Sequence, residues 1–583
     1  MSSTAQKLEI FTDRERVKRT SYKDLERPCY HCHDKPFVAN DKTHQPGLYY
    51  HTAVYPNNGA EPRLVDTWLS TPLKVTAVTV EPDGQGYGRL LEFTDMDGNW
   101  RKWAMPMRLL AGKGDELRQE LLDRGVQYNI NKSKHLTDYI MNSSPKKRVQ
   151  ASSQTGWFES NSFVMPDMVI GEGNVHFQSE TAAINAFSRS GSADSWQKNI
   201  GEKCPGNTLL TLSVSAALAG VLLNKTHTKG AGLHFVGDSS TGKSTVAEVA
   251  ASVWGPQSFI QSWSATSNGF EGAAEARNDT VMILDEINEA MPGEVGKIAY
   301  MLSNGMGKQR STRTGAARRV KSWRLMLLST GERTLANIME QAGKQVTSGQ
   351  LARLLSIPAD YPYGAFQELH GFASGREFAD HLKESVQEDY GHIGIEFIRS
   401  IIDSEEDLPG RLASIIDKVL PANPRSTESR AGKTFAIIAL AGELAVEFGL
   451  LPWSKGAAVD AAKEAFELWR NLQSDPVSES EQICQSISDF LSRFGDSRFS
   501  PIDNPSAHSV PNRAGYHQTI AGERVYIFTK SGLEEAARGF GIRRIFKALD
   551  EAGHIVDRDP GRNTKKTRTA DGTENLYWLK KPL

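Results

Sequence analysis

The stretch Gly237-Asp238-Ser239-Ser240-Thr241-Gly242-Lys243-Ser244 constrains the fold of this chain more than any other. It is a complete G-x-x-x-x-G-K-[ST] pattern, preceded by the apolar run Leu233–Val236 and followed by helix-forming residues that begin with Thr245. The glycines let backbone N–H groups close around an anion, and the following helix adds its positive dipole end. Lys243 is then placed to reach the β- and γ-phosphates of ATP, and Ser244 to ligate Mg2+. The alternative is an ordinary glycine-containing turn between strand and helix.

Such a loop needs a parallel sheet behind it. Short apolar runs at Leu233–Val236, Ser258–Gln261, Val281–Leu284, Leu325–Leu328 and Leu354–Ile357 alternate with helical stretches such as Ser244–Val253 and Glu294–Ser303. The pattern predicts five buried parallel strands in an open three-layer α/β domain.

Val281-Met-Ile-Leu-Asp285-Glu286 follows Lys243 by 42 residues at Asp285 and reads as a strand ending in two acids. Asp285 is suited to the Mg2+ shell, and Glu286 to orienting and deprotonating an attacking water. The double acid favours ATP hydrolysis over phosphoryl transfer to a small substrate, because hydrolysis needs a base there. Arg324-Leu-Met-Leu-Leu-Ser329-Thr330 has the form of the neighbouring strand, so Ser329 or Thr330 is a candidate contact to the γ-phosphate or the lytic water. Strand-end Ser and Thr are equally common as turn formers.

Lys308, Arg310, Arg313, Arg318, Arg319, Lys321 and Arg324 fall within residues 308–324, with no acid among them and Gly315 near the centre. A β-hairpin carrying these charges suits contact with a DNA phosphate backbone; a solvated loop is the plainer reading. The composition hides this element: Lys+Arg 68 and Asp+Glu 70 give a formal net charge of −2. That total excludes a uniformly basic coat protein but not a local grip on DNA. Arg353, just before the last strand, is a candidate to project to a nucleotide held by a neighbouring subunit. Arg430 is a weaker candidate for sensing nucleotide from the helices that follow.

At 583 residues the chain has room for about four domains. Residues 1–180 read as an α+β domain, with strands at Leu48–His51, Leu73–Val80 and Arg89–Phe93 and helices at Glu116–Arg124 and Lys132–Met141. Residues 181–362 hold the nucleotide core, and 363–480 are mostly helical. Residues 481–583 end in the order helix (Ser531–Arg538), helix (Arg543–Ala552), strand (Ile555–Asp557), basic loop (Arg562–Arg568) and strand (Leu576–Leu579), as in a winged helix. Cys29-Tyr-His31-Cys32-His33, with His44 and His51 nearby, suggests zinc, but no second Cys pair follows. Reduced cysteines and surface histidines in a loop are expected instead, and no metal is assigned there.

The first thirty residues lack the apolar core of a secretory signal, and the run Leu209–Leu223 is too short to span a bilayer, which takes about 20 residues. The four cysteines are scattered, which suits a reducing compartment. A cytoplasmic protein without a membrane partner is the expectation.

Ser262-Trp-Ser-Ala-Thr-Ser-Asn268-Gly269, Asn278-Asp-Thr, the Leu-Asp-Glu acids, Tyr300-Met-Leu-Ser-Asn-Gly305-Met-Gly-Lys308, Trp323 through Glu332, and Phe435 to Gly449 together resemble domain of unknown function 927. The resemblance covers about residues 25–475. It implies an AAA+-type P-loop ATPase of bacterial mobile elements and prophages, similar to minichromosome-maintenance and superfamily III ring helicases. The implied architecture is a multidomain α/β chain: an AAA+ core with an N-terminal α+β domain, a helical lid and a C-terminal winged-helix-like domain. By position, Lys243, Ser244, Asp285, Glu286, Ser329 or Thr330, and Arg353 match the phosphate loop, acidic strand, sensor and finger. Residues 308–324 match a pre-sensor hairpin. Sensors of this kind are often asparagine, so Ser-Thr is a departure.

The implied protein is a homo-hexameric ring helicase with single-stranded DNA in its channel and a forked duplex as substrate. A separate primase or single-strand-binding protein would be its partner. An ATP-switched initiator, loader or regulator that does not unwind, and a phage-defence ATPase, are the alternatives.

Overall fold

The computed structural model describes residues 22–39, 41–56, 61–159, 161–179, 186–309, 320–344, 346–473, 479–504, 510, 512–569 and 572–582. The N-terminal part begins with β1 (Cys29–His33), the short pair β2 (Phe37–Ala39) and β3 (Lys42–His44), β4 (Gly47–Val54) and β5 (Arg63–Ser70). β1, β4 and β5 form one antiparallel sheet. Next come β6 (Leu73–Val80), β7 (Gly88–Thr94), β8 (Trp100–Pro106), α1 (Asp115–Asp123), α2 (Ser133–Asn142) and β9 (Arg148–Ser152). β10 (Gly156–Phe158), β11 (Ser162–Val164) and β12 (Val169–Gly171) make a small meander, and β13 (Val175–Phe177) returns to the edge of a sheet ordered β13-β9-β6-β7-β8. The strands and helices expected here from residues 48–141 are all present. The Cys29–His33 segment, however, is a strand and not a loop, and His51 is fully buried.

The central sheet is built from β14 (Ala231–Val236), β15 (Gln261–Ser262), β16 (Thr280–Asp285), β17 (Leu325–Gly331) and β18 (Leu354–Pro358). Its order is β15-β16-β17-β14-β18 and every pair is parallel. Four strands fall where the apolar runs predict them. The fifth differs: Gln257–Phe259 form a 3-10 turn after Pro256, which leaves only two residues for β15. The intervening helices are α3 (Ala193–Asn199), α4 (Thr208–Lys225), α5 (Lys243–Ser252), α6 (Ser267–Glu275), α7 (Pro292–Asn304), α8 (Leu335–Gln341) and α9 (Ser348–Leu351).

Among the described residues α4 is the one helix long and apolar enough to cross a membrane, and it is 89% buried inside the protein. A helix apolar on all sides needs cover on all sides. One side lies on the sheet, where Gly220 lets the backbone approach so closely that a Cβ would sit 1.9 Å from the Thr280 carbonyl oxygen. The other side is covered by α13 (Ser426–Glu447) and α14 (Ala457–Gln473), which follow α10 (Gly375–Glu388), α11 (Ile393–Asp403) and α12 (Leu408–Val419). Leu233 of β14, Leu218 of α4 and Phe435 of α13 belong to one continuous core. The helical region after residue 362 therefore shares its interior with the sheet.

The C-terminal part has its own core, in which Ile487 and Leu491 of α15 (Glu479–Phe494) meet Ile545 and Leu549 of a later helix. β19 (Phe499–Pro501), β20 (Gly515–Ile520), β21 (Glu523–Phe528), α16 (Lys530–Ala536), α17 (Ile542–Glu551), β22 (Ile555–Asp557), β23 (Lys565–Thr569) and β24 (Gly572–Lys580) complete it. The expected basic loop Arg562–Arg568 is in fact half strand, because β23 pairs with β24.

Candidate functional site

The site lies at the carboxyl ends of β14, β16 and β17, where an open α/β sheet binds its ligands. Gly242 takes a φ of +96° to turn the chain into α5, and Ser240 also lies in the left-handed region at +63°. Lys243 is 6% exposed, and its ammonium donates to the carbonyls of Gly237 (2.9 Å) and Asp238 (2.5 Å) and to Thr241 Oγ1 (3.3 Å). Burial lowers its pKa, opposed by the carboxylates of Glu286, Glu332, Asp285 and Asp238. Phosphate oxygens would compete with the loop carbonyls for the same charge. Asp238, Ser239, Ser240 and Thr241 form the rest of the loop, with Thr245 buried one residue into the helix after Ser244.

Ser244 Oγ lies 3.5 Å from Asp285 Oδ1 at the tip of β16. The Thr330 hydroxyl on β17 donates to the same Asp285 oxygen and accepts the Glu286 backbone N–H at 3.2 Å. Glu286 adopts a φ of +58°, uncommon for a residue with a side chain, and its Oε1 is buried with no hydrogen-bond partner. Strained backbone and an unsatisfied buried oxygen cost stability, and both concentrate where a ligand is handled.

Ser329 points to the opposite face of β17, as alternation along a strand requires. Its hydroxyl accepts from Trp263 Nε1 at 2.9 Å and lies 2.9 Å from His234 Nδ1. The Arg333 carbonyl, 2.9 Å from His234 Nε2, can only accept, so the neutral imidazole carries its proton on Nε2. His234 Nδ1 is therefore the acceptor, and the Ser329 hydroxyl donates to it. Complete burial holds His234 neutral, with its pKa lowered to about 4. Of the two strand-end candidates, Thr330 faces the acids, whereas Ser329 is engaged below them.

Arg353 precedes β18. Its guanidinium donates to the Gly349 carbonyl at 2.8 Å and stacks 4.4 Å from the Tyr300 ring centroid. β18 pairs Pro358 with Val236, so Arg353 sits five residues back from the phosphate-loop end, about 17 Å along the strand. Within one chain it lies at the far end of the sheet from the loop. Arg430 is exposed in the second turn of α13.

A segment with little signature in the sequence holds the phosphate loop from above. The Ala359 N–H donates to the Val236 carbonyl (2.6 Å) and the Ala365 N–H to the Thr241 carbonyl (2.7 Å). The Phe366 ring packs on Gly242, where a Cβ would stand 2.9 Å from it. Glu464 of α14 ties this segment to α4, accepting from Tyr361 (3.1 Å), Gln367 (3.0 Å) and Thr208 (2.7 Å). The one hint in the sequence is Tyr361-Pro-Tyr-Gly364, a turn former.

Between α7 and β17 the chain forms the stem of a hairpin. Met306 pairs antiparallel with Ser322, and the Gly307 N–H donates to the Lys321 carbonyl at 2.8 Å. Arg310, Arg313, Arg318 and Arg319 lie outside the described residues. α6 anchors both sides of the stem: Glu271 accepts the Lys308 N–H (3.2 Å), and Glu275 pairs with Lys321 (2.6 Å). Arg324 pairs with buried Asp279 at 2.8 Å, and Asp279 also accepts the Trp157 N–H at 3.0 Å. Burial pushes the Asp279 carboxyl up, against the Arg324 hydrogen bonds that draw it down. The basic run has no acid within it, yet at its C-terminal end it meets acids from other elements.

Together, fold and site define a multidomain α/β protein whose parallel sheet ends in a glycine-containing loop facing two acids. Residues 40–322 match the family model Domain of unknown function (DUF927). The match is narrower than the sequence resemblance and stops before β17. The solved structure of SCCmec type IV Cch, an active helicase, is similar with a TM-score of 0.64 and 17% identity, covering 96% of this chain and 98% of that one. At that identity the likeness establishes a shared fold. No curated protein sequence matches the chain.

Proposed function

We propose that this chain is an ATP-driven DNA helicase of AAA+ type. It works as a homo-hexameric ring in the replication of a mobile genetic element or prophage. The observation that carries the reading is the convergence of Ser244 and Thr330 on one Asp285 carboxylate oxygen, next in sequence to Glu286, whose buried Oε1 has no hydrogen-bond partner. The sheet order β15-β16-β17-β14-β18 supports the AAA+ assignment, and the likeness to an active helicase supports DNA as substrate.

The loop N–H groups and the amino end of α5 bind the ATP phosphates, and Lys243 neutralises charge on the β- and γ-phosphates. Glu286 accepts the proton of the water that attacks the γ-phosphorus, while Thr330 holds Asp285 and the Glu286 backbone in register. Ser244 and Asp285 offer the hydroxyl and carboxylate oxygens that suit Mg2+, which when bound neutralises phosphate charge. Arg353 cannot reach the loop of its own chain, which suits action on the nucleotide of an adjacent subunit. The hairpin of Lys308, Arg310, Arg313, Arg318, Arg319 and Lys321 contacts the phosphate backbone of the strand in the channel. The C-terminal part, with exposed Arg543 on α17 and Lys566 and Arg568 on β23, serves as an accessory winged-helix-like arm.

The test is hydrolysis with and without single-stranded DNA. Replacing Arg318, Arg319 and Lys321 by alanine should abolish DNA stimulation while leaving ATP affinity within about threefold. Undiminished stimulation would contradict the hairpin role.

A further inference from the structure

We propose that His33 and His51, completed by His31, form a divalent transition-metal site in the N-terminal sheet, separate from the nucleotide site. Alternation along β1 puts Cys29, His31 and His33 on one face, while Tyr30 and Cys32 turn toward the hydrophobic core. The Cys-x-x-Cys pair is thereby split between two faces and cannot chelate. The histidines are not split. β4 runs antiparallel to β1 and sets His51 opposite Cys29 on the histidine face.

The Nε2 atoms of His33 and His51 face each other at 3.1 Å. Two nitrogens bound tetrahedrally at the usual 2.0–2.1 Å to zinc stand roughly 3.3 Å apart, so this spacing fits a shared metal with little adjustment. His51 is prepared from behind. Its Nδ1 lies 2.7 Å from Asp66 Oδ1, and Asp66 also accepts from Tyr22 at 2.7 Å, with Arg27 at 3.8 Å.

Through that 2.7 Å contact Asp66 fixes the His51 proton on Nδ1 and directs the Nε2 lone pair at His33. This is the carboxylate–histidine arrangement that orients ligands to a metal. His33 is further clamped by Phe37, stacked at 3.8 Å between ring centroids, so the short β2–β3 pair covers the site.

Among the described residues no three His, Cys, Asp or Glu side chains already converge on one point. The third ligand is the His31 ring, 4.6 Å from His33 and 6.5 Å from His51 between centroids, which reaches the shared point by rotation about its side-chain bonds. An all-imidazole set selects Zn2+, Co2+, Ni2+ or Cu2+ over Mg2+ and Ca2+. The competing account is a plain hydrogen bond between two neutral imidazoles.

The experiment is titration of chelator-stripped full-length protein with Zn2+ alone, read by calorimetry and by competition with a chromophoric chelator. The site predicts one Zn2+ per chain with unchanged binding in Asp285→Asn, which separates it from the nucleotide site. His33→Gln keeps a donor for His51 but removes a ligand, so a folded His33→Gln protein should lose binding at least ~100-fold. His31→Ala should lose at least ~10-fold, and Asp66→Asn ~10–100-fold. Absence of stoichiometric Zn2+ binding in the wild type, or equal binding in folded His33→Gln, would overturn the proposal.

Discussion

The Thr330 hydroxyl donates to the Asp285 carboxylate and accepts the Glu286 backbone N–H, so one side chain on β17 sets both acids at the end of β16. Its neighbour Ser329 has a different role on the opposite face, between Trp263 and His234. Thr330→Val keeps the shape and removes both hydrogen bonds. It should lower the turnover of ATP hydrolysis ~10–100-fold with ATP affinity nearly unchanged. Ser329→Ala should instead lower unfolding free energy by about 1–3 kcal/mol, because it leaves a buried indole N–H and imidazole unsatisfied. Steady-state hydrolysis and denaturant titration of the two variants read this contrast. Equal kinetic effects would contradict the division of labour.

Arg353 offers a test of ring architecture. Lys243→Ala and Arg353→Ala proteins should each be inactive alone, and mixing them should restore part of the hydrolysis wherever an intact loop meets an intact arginine. No recovery at any mixing ratio would count against action between subunits.

His234 gives a pH signature. Its pKa in the folded protein is about 4 against an ordinary 6.5, so the unfolded chain binds the extra proton between those values. The stabilising contribution is fully present above about pH 6.5 and is lost progressively as pH falls toward 4, by up to ~1.4 kcal/mol per pH unit from this group. Denaturant midpoints from about pH 7 to about pH 4.5 should fall less steeply for His234→Gln than for wild type. Parallel slopes would show that His234 is not the buried neutral group.

Legibility of the fold and site in the sequence depends on physical range. Gly237–Ser244 and Val281–Glu286 are local patterns, each fixed by a strand end and the residues just beyond it, and both can be read directly. Which of Ser329 and Thr330 faces the site depends on the phase of the strand, which adjacency alone does not give. Arg324 reads as one more hairpin charge, yet its partner Asp279 lies 45 residues away and becomes visible only when β16 and β17 pair. Phe366 over Gly242 is a contact of the same long-range kind. α15 escapes a reading of the sequence because its polar start masks a helical spacing of Ile483, Ile487, Phe490 and Leu491. The histidine face at Cys29–His33 looks like an incomplete metal knuckle until the period-two alternation of β1 separates its cysteines from its histidines.

The central claim is that ATP hydrolysis drives strand separation. The most direct measurement is displacement of a labelled strand from forked DNA with 3′ and 5′ tails, run with ATP, with a non-hydrolysable analogue, and with Glu286→Gln protein. The account predicts displacement by wild type with ATP only, and DNA binding without displacement in the other two conditions. Displacement that is equal with the analogue, or absent with ATP while DNA is bound, would contradict it.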